Sequence, residues 1–218
     1  MSMENLDYTS IYKTDNEILD SIKENLIRML FERNLINKEN IENKVSKIKN
    51  IKNDIFNIKL DNTTNYNSKF EDDELLIKVF NYNITSIAKG SEILEFIIKN
   101  INKYKILIVN DITEKSINSL KQLTNINQKP NSSNLEIFTF FELSFIVIDS
   151  ILQPKFIPLN KDEELQFFVE YPTIKKKDLK IILNGDPVSK FYNFKTNTII
   201  KVIRTTPVGM SFEYKLVY

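Results

Sequence analysis

The chain has 218 residues, with 30 basic and 29 acidic side chains, a formal net charge of +1, and neither cysteine nor histidine. Without cysteine it forms no disulfide or thiolate metal site, and without histidine it holds no serine–histidine or cysteine–histidine triad. The even charge balance argues against a protein that wraps nucleic acid over its whole surface, so any contact with phosphates would be local.

The start of the chain predicts a polar tail followed by one amphipathic helix. Residues 1–14 are polar and contain no apolar core of a signal peptide. Apolar residues then recur at helical spacing between 18 and 30, and Thr14 or Asp15 is placed to cap that helix. Since no apolar stretch anywhere is long enough to span a bilayer, we expect a soluble intracellular protein.

The middle of the chain predicts an α/β arrangement. Residues 37–70 are polar and rich in Asn and Lys, with a loop at 61–68. Alternating strand and helix patterns follow, which imply parallel strands with helices on the faces of the sheet. The predicted elements are a strand at 75–82, a helix capped by Ser91, a strand at 106–109, a helix capped by Thr113, a loop at 128–134, and a long β run at 135–149 that bends or splits near Glu142.

Proline usage predicts a domain boundary near Ser150, because every proline except Pro130 lies beyond it. Asn160 and Glu163 form a capping-box pattern at the start of a helix that stops before Pro172. We expect Leu165, Phe168 and Val169 to form the apolar face of this helix.

The chain ends in a predicted β-hairpin, residues 198–204 and 211–218, around a loop with Pro207 and Gly209. A turn is predicted at 185–188, and a strand at 179–183. Strand alternation separates Phe212, Tyr214, Leu216 and Tyr218 from Ser211, Glu213, Lys215 and Val217. We expect the first set to face inward, so that Leu216 joins Ile200 and Val202 in the core with Tyr214 beside them.

The last sixth of the chain carries an ordered set of short motifs. They are Gly185-Asp186-Pro187-Val188, Tyr192, residues 200–204, Gly209 and residues 214–217. In this order they resemble the small assembly subunit of multisubunit RNA polymerases, a family that includes an archaeal member and the fifth subunit shared by the eukaryotic nuclear enzymes. Upstream, residues 106–120 and 135–148 resemble the segments that precede this module, and residues 1–70 match least.

Several positions depart from the family pattern. Ser150 and Phe156 stand where histidines commonly flank a Leu-Val-Pro segment, which is here Leu152-Gln153-Pro154. Leu179-Lys180 replaces a Leu-Pro pair. These departures point to a divergent member from a large DNA virus or an AT-rich protist.

The resemblance implies an α+β protein with a three-layer α/β jaw module at 1–149 and a small mixed α/β assembly module at 150–218 that ends in a β-hairpin. It implies a noncatalytic subunit of a DNA-dependent RNA polymerase, docked on the largest subunit and near downstream DNA, with no catalytic residue, metal or cofactor of its own. We expect the subunit interface to include Asp186, Pro187, Val188, Arg204 and Tyr214. The protein would lie in the nucleus of a cell, or in a cytoplasmic factory or virion if it is viral.

Two basic features are candidate contacts for the DNA duplex, which we expect to be bound weakly and locally. Free backbone N–H groups at the helix start near Thr113, together with Lys115, suit a phosphate. The run Lys175-Lys176-Lys177 is the competing site.

Two other classes of function stay open. Glu213 and Lys215 form a Glu-x-Lys pattern on a strand, and with an acid such as Asp186 or Asp178 they would suit a metal-dependent nuclease of the restriction-enzyme class. A free-standing interaction module without a polymerase is the third interpretation.

Overall fold

The computed structural model describes residues 14–51, 53–62, 74–101, 103–125, 135–150, 152–207 and 209–218. The predicted tail before Thr14, most of the loop at 61–68 and the loop at 128–134 lie outside these ranges. The chain divides into two compact units, which meet in the sequence at Phe145 and Ile146. Both units combine helices with a mixed sheet, which confirms the predicted α+β class.

The first unit is built on a four-stranded sheet in the order β1-β2-β3-β4. The strands β2, β3 and β4 run parallel, as the alternation predicted, and β1 pairs antiparallel with β2. Sequence reasoning missed β1, whose buried Phe56 and Ile58 alternate with exposed residues inside a polar stretch. The strands are β1 (Ile55–Lys59), β2 (Glu74–Ile84), β3 (Lys105–Ile112) and β4 (Leu135–Thr139).

Helices pack against both faces of this sheet. On one face, α3 and α4 bury Ile93, Ile97 and Leu120 against Phe80 and Leu107. On the other, Arg33 at the end of α1 forms an ion pair with Glu136 of β4. The helices are α1 (Asp15–Glu32), α2 (Ile41–Lys49), α3 (Glu92–Lys99) and α4 (Glu114–Asn125).

Local caps explain where these helices begin. The Thr14 hydroxyl accepts from the Glu17 backbone N–H and the Thr14 N–H donates to the Glu17 carboxylate, so the predicted cap of α1 is confirmed. Thr113 caps α4 by accepting from the Ser116 N–H. Ser91 precedes α3 as predicted, but its hydroxyl makes no capping hydrogen bond.

The long β run predicted at 135–149 is wrong beyond Thr139. The Thr139 hydroxyl accepts from the Glu142 N–H at 3.2 Å, and the Glu142 carboxylate accepts from the Thr139 N–H at 2.7 Å. This capping box ends β4 and starts the short helix α5 (Phe140–Ser144). A 3₁₀ turn at Val147–Asp149 then lies at the start of the second unit.

The second unit has its own four-stranded sheet, in the order β5-β7-β8-β6. The predicted terminal hairpin is confirmed, with Thr206 opposite Gly209 at its turn, and β6 lies parallel to β8. Gly209 has a φ of 142°, a backbone conformation that residues with a side chain rarely adopt. The strands are β5 (Lys155–Pro158), β6 (Lys180–Ile182), β7 (Ile199–Thr206) and β8 (Gly209–Val217).

Two helices accompany this sheet. The predicted capping box of Asn160 and Glu163 opens α6 (Lys161–Glu170). Its buried residue is Phe167, whereas Leu165 and Val169 are exposed, so the predicted apolar face of α6 is wrong. The predicted turn at 185–188 instead begins a helix, α7 (Pro187–Tyr192).

The core of the hairpin also differs from the prediction. Ile200 and Val202 are fully buried as expected, but their partner on β8 is Val217, not Leu216. The register places Leu216 opposite Ile199, on the other face of the sheet, where it is half-buried. Alternation separated the two sets of residues on β8 correctly. The set with the aromatic side chains, which was expected to face inward, is the more exposed of the two, and the buried residue Val217 belongs to the other set.

Candidate interaction surfaces

Asp186 starts α7 and uses its carboxylate for that task. Its Oδ1 accepts from the N–H groups of Val188 at 2.9 Å and Ser189 at 3.4 Å. Pro187 occupies the first helical position, where its missing N–H costs nothing, and Val188 is buried in the unit. Helix capping therefore accounts for the Asp-Pro-Val sequence, and Pro187 is the exposed member of this set.

Glu213 lies at the centre of a basic cluster on one face of the second sheet. Its carboxylate is 3.0 Å from Lys180 Nζ, 3.3 Å from Lys215 Nζ and 3.9 Å from an Arg204 nitrogen. The hydrogen bond from Lys180 and the nearby Lys215 ammonium lower the pKa of this carboxyl, although partial burial opposes them. We call these four residues the Glu213 cluster.

This cluster does not build the metal site that a nuclease needs. The Glu213 oxygens contact cations, and the Asp178 carboxylate accepts from the Lys175 backbone N–H. Within the part of the chain that the structure describes, no group of three or more acidic side chains could hold a metal ion. The Glu-x-Lys pattern thus supplies one bound carboxylate without the second acid that divalent-metal catalysis uses.

The opposite face of the second sheet carries aromatic side chains beneath α6. Tyr214 packs against Phe167 with ring centroids 4.5 Å apart and ring planes tilted by 51°, and Phe212 meets Tyr214 edge-on at 6.1 Å. Lys201 lies 4.9 Å above the Phe212 ring. Tyr214 is therefore a half-buried anchor for α6, and Phe212 remains exposed beside it.

The outer side of α6 is apolar and open to solvent. Leu165 is 66% exposed and Val169 is 81% exposed, and the two are one helical turn apart. We use the name α6–β8 surface for these two side chains and for Phe212, which is exposed on β8. Neighbouring exposed apolar side chains, such as the pair on α6, are typical of protein contacts.

The three lysines of the run Lys175-Lys176-Lys177 differ in how accessible they are to a ligand. Lys176 is half-buried and its ammonium bonds to Glu164 at 2.7 Å, while Lys175 and Lys177 are exposed. The run leads into β6, where Lys180 joins the Glu213 cluster.

The start of α4 lies at the carboxyl end of β3, where α/β sheets commonly bind ligands. Thr113 is exposed, accepts from the Ser116 N–H at 3.4 Å and donates to the Thr85 carbonyl at 3.2 Å. Lys115 is exposed and has no ion pair with the described residues. Asp111 and Glu114 precede this single cation in the sequence, and their negative charges weaken its attraction for a phosphate.

Sequence reasoning missed Lys180 as a member of the Glu213 cluster. The strand that carries it was predicted, but its parallel pairing with β8 joins residues far apart in the chain. No local sequence pattern predicts such a pairing, whereas the spacing of Glu213 and Lys215 on one strand can be seen directly in the sequence.

None of the helices in the described part of the chain combines the length and apolar character that a bilayer span requires.

Comparison with known proteins relates this chain to a protein family and to a viral protein. Residues 145–217 match the family described as "RNA polymerase Rpb5, C-terminal domain". Over 215 residues the chain is 27% identical to a protein of Acanthamoeba polyphaga mimivirus named "DNA-directed RNA polymerase subunit 5", with 95% of each chain covered. These matches confirm the resemblance seen in the sequence motifs, and the viral relative agrees with the expected divergence.

Proposed function

We infer that this chain, a divergent RNA polymerase subunit of the Rpb5 type, is a noncatalytic component that docks on the largest subunit of a DNA-dependent RNA polymerase. The observation that carries this inference is the family match at 145–217, which coincides with the second compact unit beginning at Ile146. A domain that matches as a whole and folds as a unit supports a role shared with its family.

The α6–β8 surface is the docking surface we propose for this unit. Leu165, Val169 and Phe212 are exposed to water, and covering these apolar side chains with a partner would lower the free energy of the complex. Tyr214 supports this surface from beneath through Phe167. Among the residues expected at the interface, Pro187 is exposed and Val188 acts through the packing of α7. Arg204 belongs to the Glu213 cluster, on the opposite face of the sheet from Phe212, and is not part of this docking surface.

We assign the first unit, with its helices on both faces of the sheet, to the jaw near downstream DNA. Thr113 and Lys115 are its proposed contact with the duplex. Because the one cation follows two acids, Asp111 and Glu114, this contact would be weak and would matter only once docking has placed the DNA beside it.

The occupied carboxylates support a subunit without chemistry of its own. Asp186 caps α7, and Glu213 is paired with Lys180 and Lys215. In the polymerase, nucleotidyl transfer would fall to other chains. We place the protein in the nucleus of a cellular host or in the viral factory or virion of a viral one.

Affinity isolation of the full-length chain from its native source tests this function. We expect it to elute with chains many times its mass, including the largest polymerase subunit. If it elutes alone and cleaves duplex DNA with magnesium, and Glu213→Ala abolishes cleavage, the nuclease interpretation replaces this one.

A further inference from the structure

The Glu213 cluster holds more positive than negative charge. Lys180, Arg204 and Lys215 all lie within 3.9 Å of a carboxylate oxygen of Glu213. One carboxylate neutralises one of the three cations, so the cluster keeps an excess of two positive charges.

The strands fix these side chains in place. Lys180 of β6 pairs with Lys215 of β8, and the antiparallel register brings Arg204 of β7 beside Glu213 on the same face. The Lys180 side chain is 77% exposed and that of Arg204 is 51% exposed, so both cations can reach a ligand without unfolding any element.

We propose that Lys180, Arg204 and Lys215 form a site for the phosphodiester backbone of nucleic acid, read without regard to sequence. Lysine is depleted in protein–protein interfaces, whereas both lysine and arginine are regular donors to the phosphate oxygens of nucleic acid. The residues after Ile146 also contain more basic than acidic side chains, and the residues before it contain more acidic ones. The positive field of the chain therefore centres on the second unit.

This site goes beyond the proposed jaw contact. Near the start of α4 a single lysine, Lys115, follows two acids, Asp111 and Glu114, whereas three cations share one acid in the Glu213 cluster. Coulomb attraction for a phosphate at equal distance is therefore stronger at the cluster.

The test measures binding of the free full-length chain to a short DNA duplex and to a single-stranded RNA by fluorescence anisotropy across a salt series. Each phosphate contact contributes about 0.9 to the slope of log K against log salt, and about tenfold in affinity near 0.1 M salt. The double variant Lys180→Gln, Arg204→Gln should make the dependence of log K on log salt shallower by roughly two units of slope. It should also weaken binding on the order of a hundredfold. Glu213→Gln should have the opposite effect and tighten binding, because it removes the competing carboxylate.

Lys201→Gln is the matched control, since Lys201 lies on the same hairpin but on the opposite face, above Phe212. It should leave affinity and salt slope unchanged, and melting curves check that all variants stay folded. The proposal is overturned if the double variant binds both probes like the parent, or if Lys201→Gln weakens binding equally.

Isolation of the same variants with the polymerase separates this site from docking. Unchanged recovery of polymerase subunits together with lost nucleic-acid binding supports the site. Lost subunits with unchanged nucleic-acid binding would mean that the cluster pairs with an acidic protein surface, which overturns the proposal and leaves the polymerase assignment intact.

Discussion

The rings of Phe167 and Tyr214 pack with their centroids 4.5 Å apart and their planes tilted by 51°, and this contact holds α6 against the terminal hairpin. Phe167 is the buried residue of α6, so the helix is held mainly through this ring. The contact leaves Leu165 and Val169 on the outer side of the helix, and the surface offered to a partner therefore depends on it.

Phe167→Ala should lower the free energy of unfolding of the second unit by about 3–5 kcal/mol, because a buried aromatic ring is lost and a cavity remains. Thermal unfolding followed by circular dichroism measures this loss. Phe168→Ala, at the half-buried neighbouring position, is the matched control and should cost clearly less. Equal losses for both variants would show that Phe167 is not the anchor.

Ile200→Ala should destabilise the hairpin by about 2–5 kcal/mol, since Ile200 is fully buried in the core with Val202 and Val217. Leu216→Ala removes a half-buried side chain from the other face and should cost less. Chemical denaturation of the two variants compares them directly. A larger loss for Leu216→Ala would restore the inward face expected from alternation alone.

Arg33 and Glu136 form a two-pronged ion pair at 2.9 and 2.8 Å, and Tyr104 also donates to Glu136. The side chains of Arg33 and Glu136 are only 2% and 11% exposed. Arg33→Met leaves a buried carboxylate without its main partner and should cost about 3–5 kcal/mol. Lys49→Met breaks the exposed pair with Glu24 and should cost under about 1 kcal/mol. If equilibrium unfolding shows similar losses of stability for the two variants, the buried pair contributes no more to stability than the exposed one.

The lowered pKa values of two carboxyl groups, those of Asp61 and Glu213, predict how the stability of the fold depends on pH. Burial raises the pKa of Asp61, but donation from Lys44, Asn37 and Asn40 outweighs it and leaves this pKa below its ordinary 3.8. The Lys180 ammonium likewise holds the pKa of Glu213 below its ordinary 4.5. Because the folded state favours the charged forms, their stabilisation is present above pH 4.5 and is lost as pH falls through the lowered folded values.

Unfolding midpoints measured from neutral pH downward test this dependence. Asp61→Asn should flatten the acid limb of the curve, because the variant has no proton to take up at this site. A curve for Asp61→Asn that falls as steeply as that of the parent would contradict the contribution of Asp61.

The α6–β8 surface predicts a docking defect without unfolding. Val169→Lys should reduce recovery of the largest polymerase subunit in affinity isolation, because a charge replaces an apolar contact. Ile98→Lys makes the same change on the exposed side of α3 in the first unit and should leave recovery intact. If both variants recover the polymerase equally well, docking uses another face.

The sequence predicts what local patterns encode. A capping residue at Thr14 or Asp15 placed the start of α1, the capping box of Asn160 and Glu163 placed the start of α6, and strand alternation placed the terminal hairpin. The errors arose where long-range packing decides. The inward face of β8 depends on its partners in the sheet, and the pairing of Lys180 with Lys215 depends on a parallel contact between distant segments.

Charge placement was the least predictable feature. Lys105 follows Tyr104 in an ordinary strand pattern, yet it is fully buried and donates to the carbonyls of Asn100 and Lys103 just after α3. Its neighbours in sequence give no sign of this role, since the acceptors are backbone atoms positioned by the fold.

Lysine-specific crosslinking of the isolated polymerase, read by mass spectrometry, tests the central claim most directly. The account predicts links from Lys161 on α6 or from the exposed Lys175 to the largest subunit. Links from these lysines only to other subunits, or none in a complex that contains the chain, would contradict docking through the second unit.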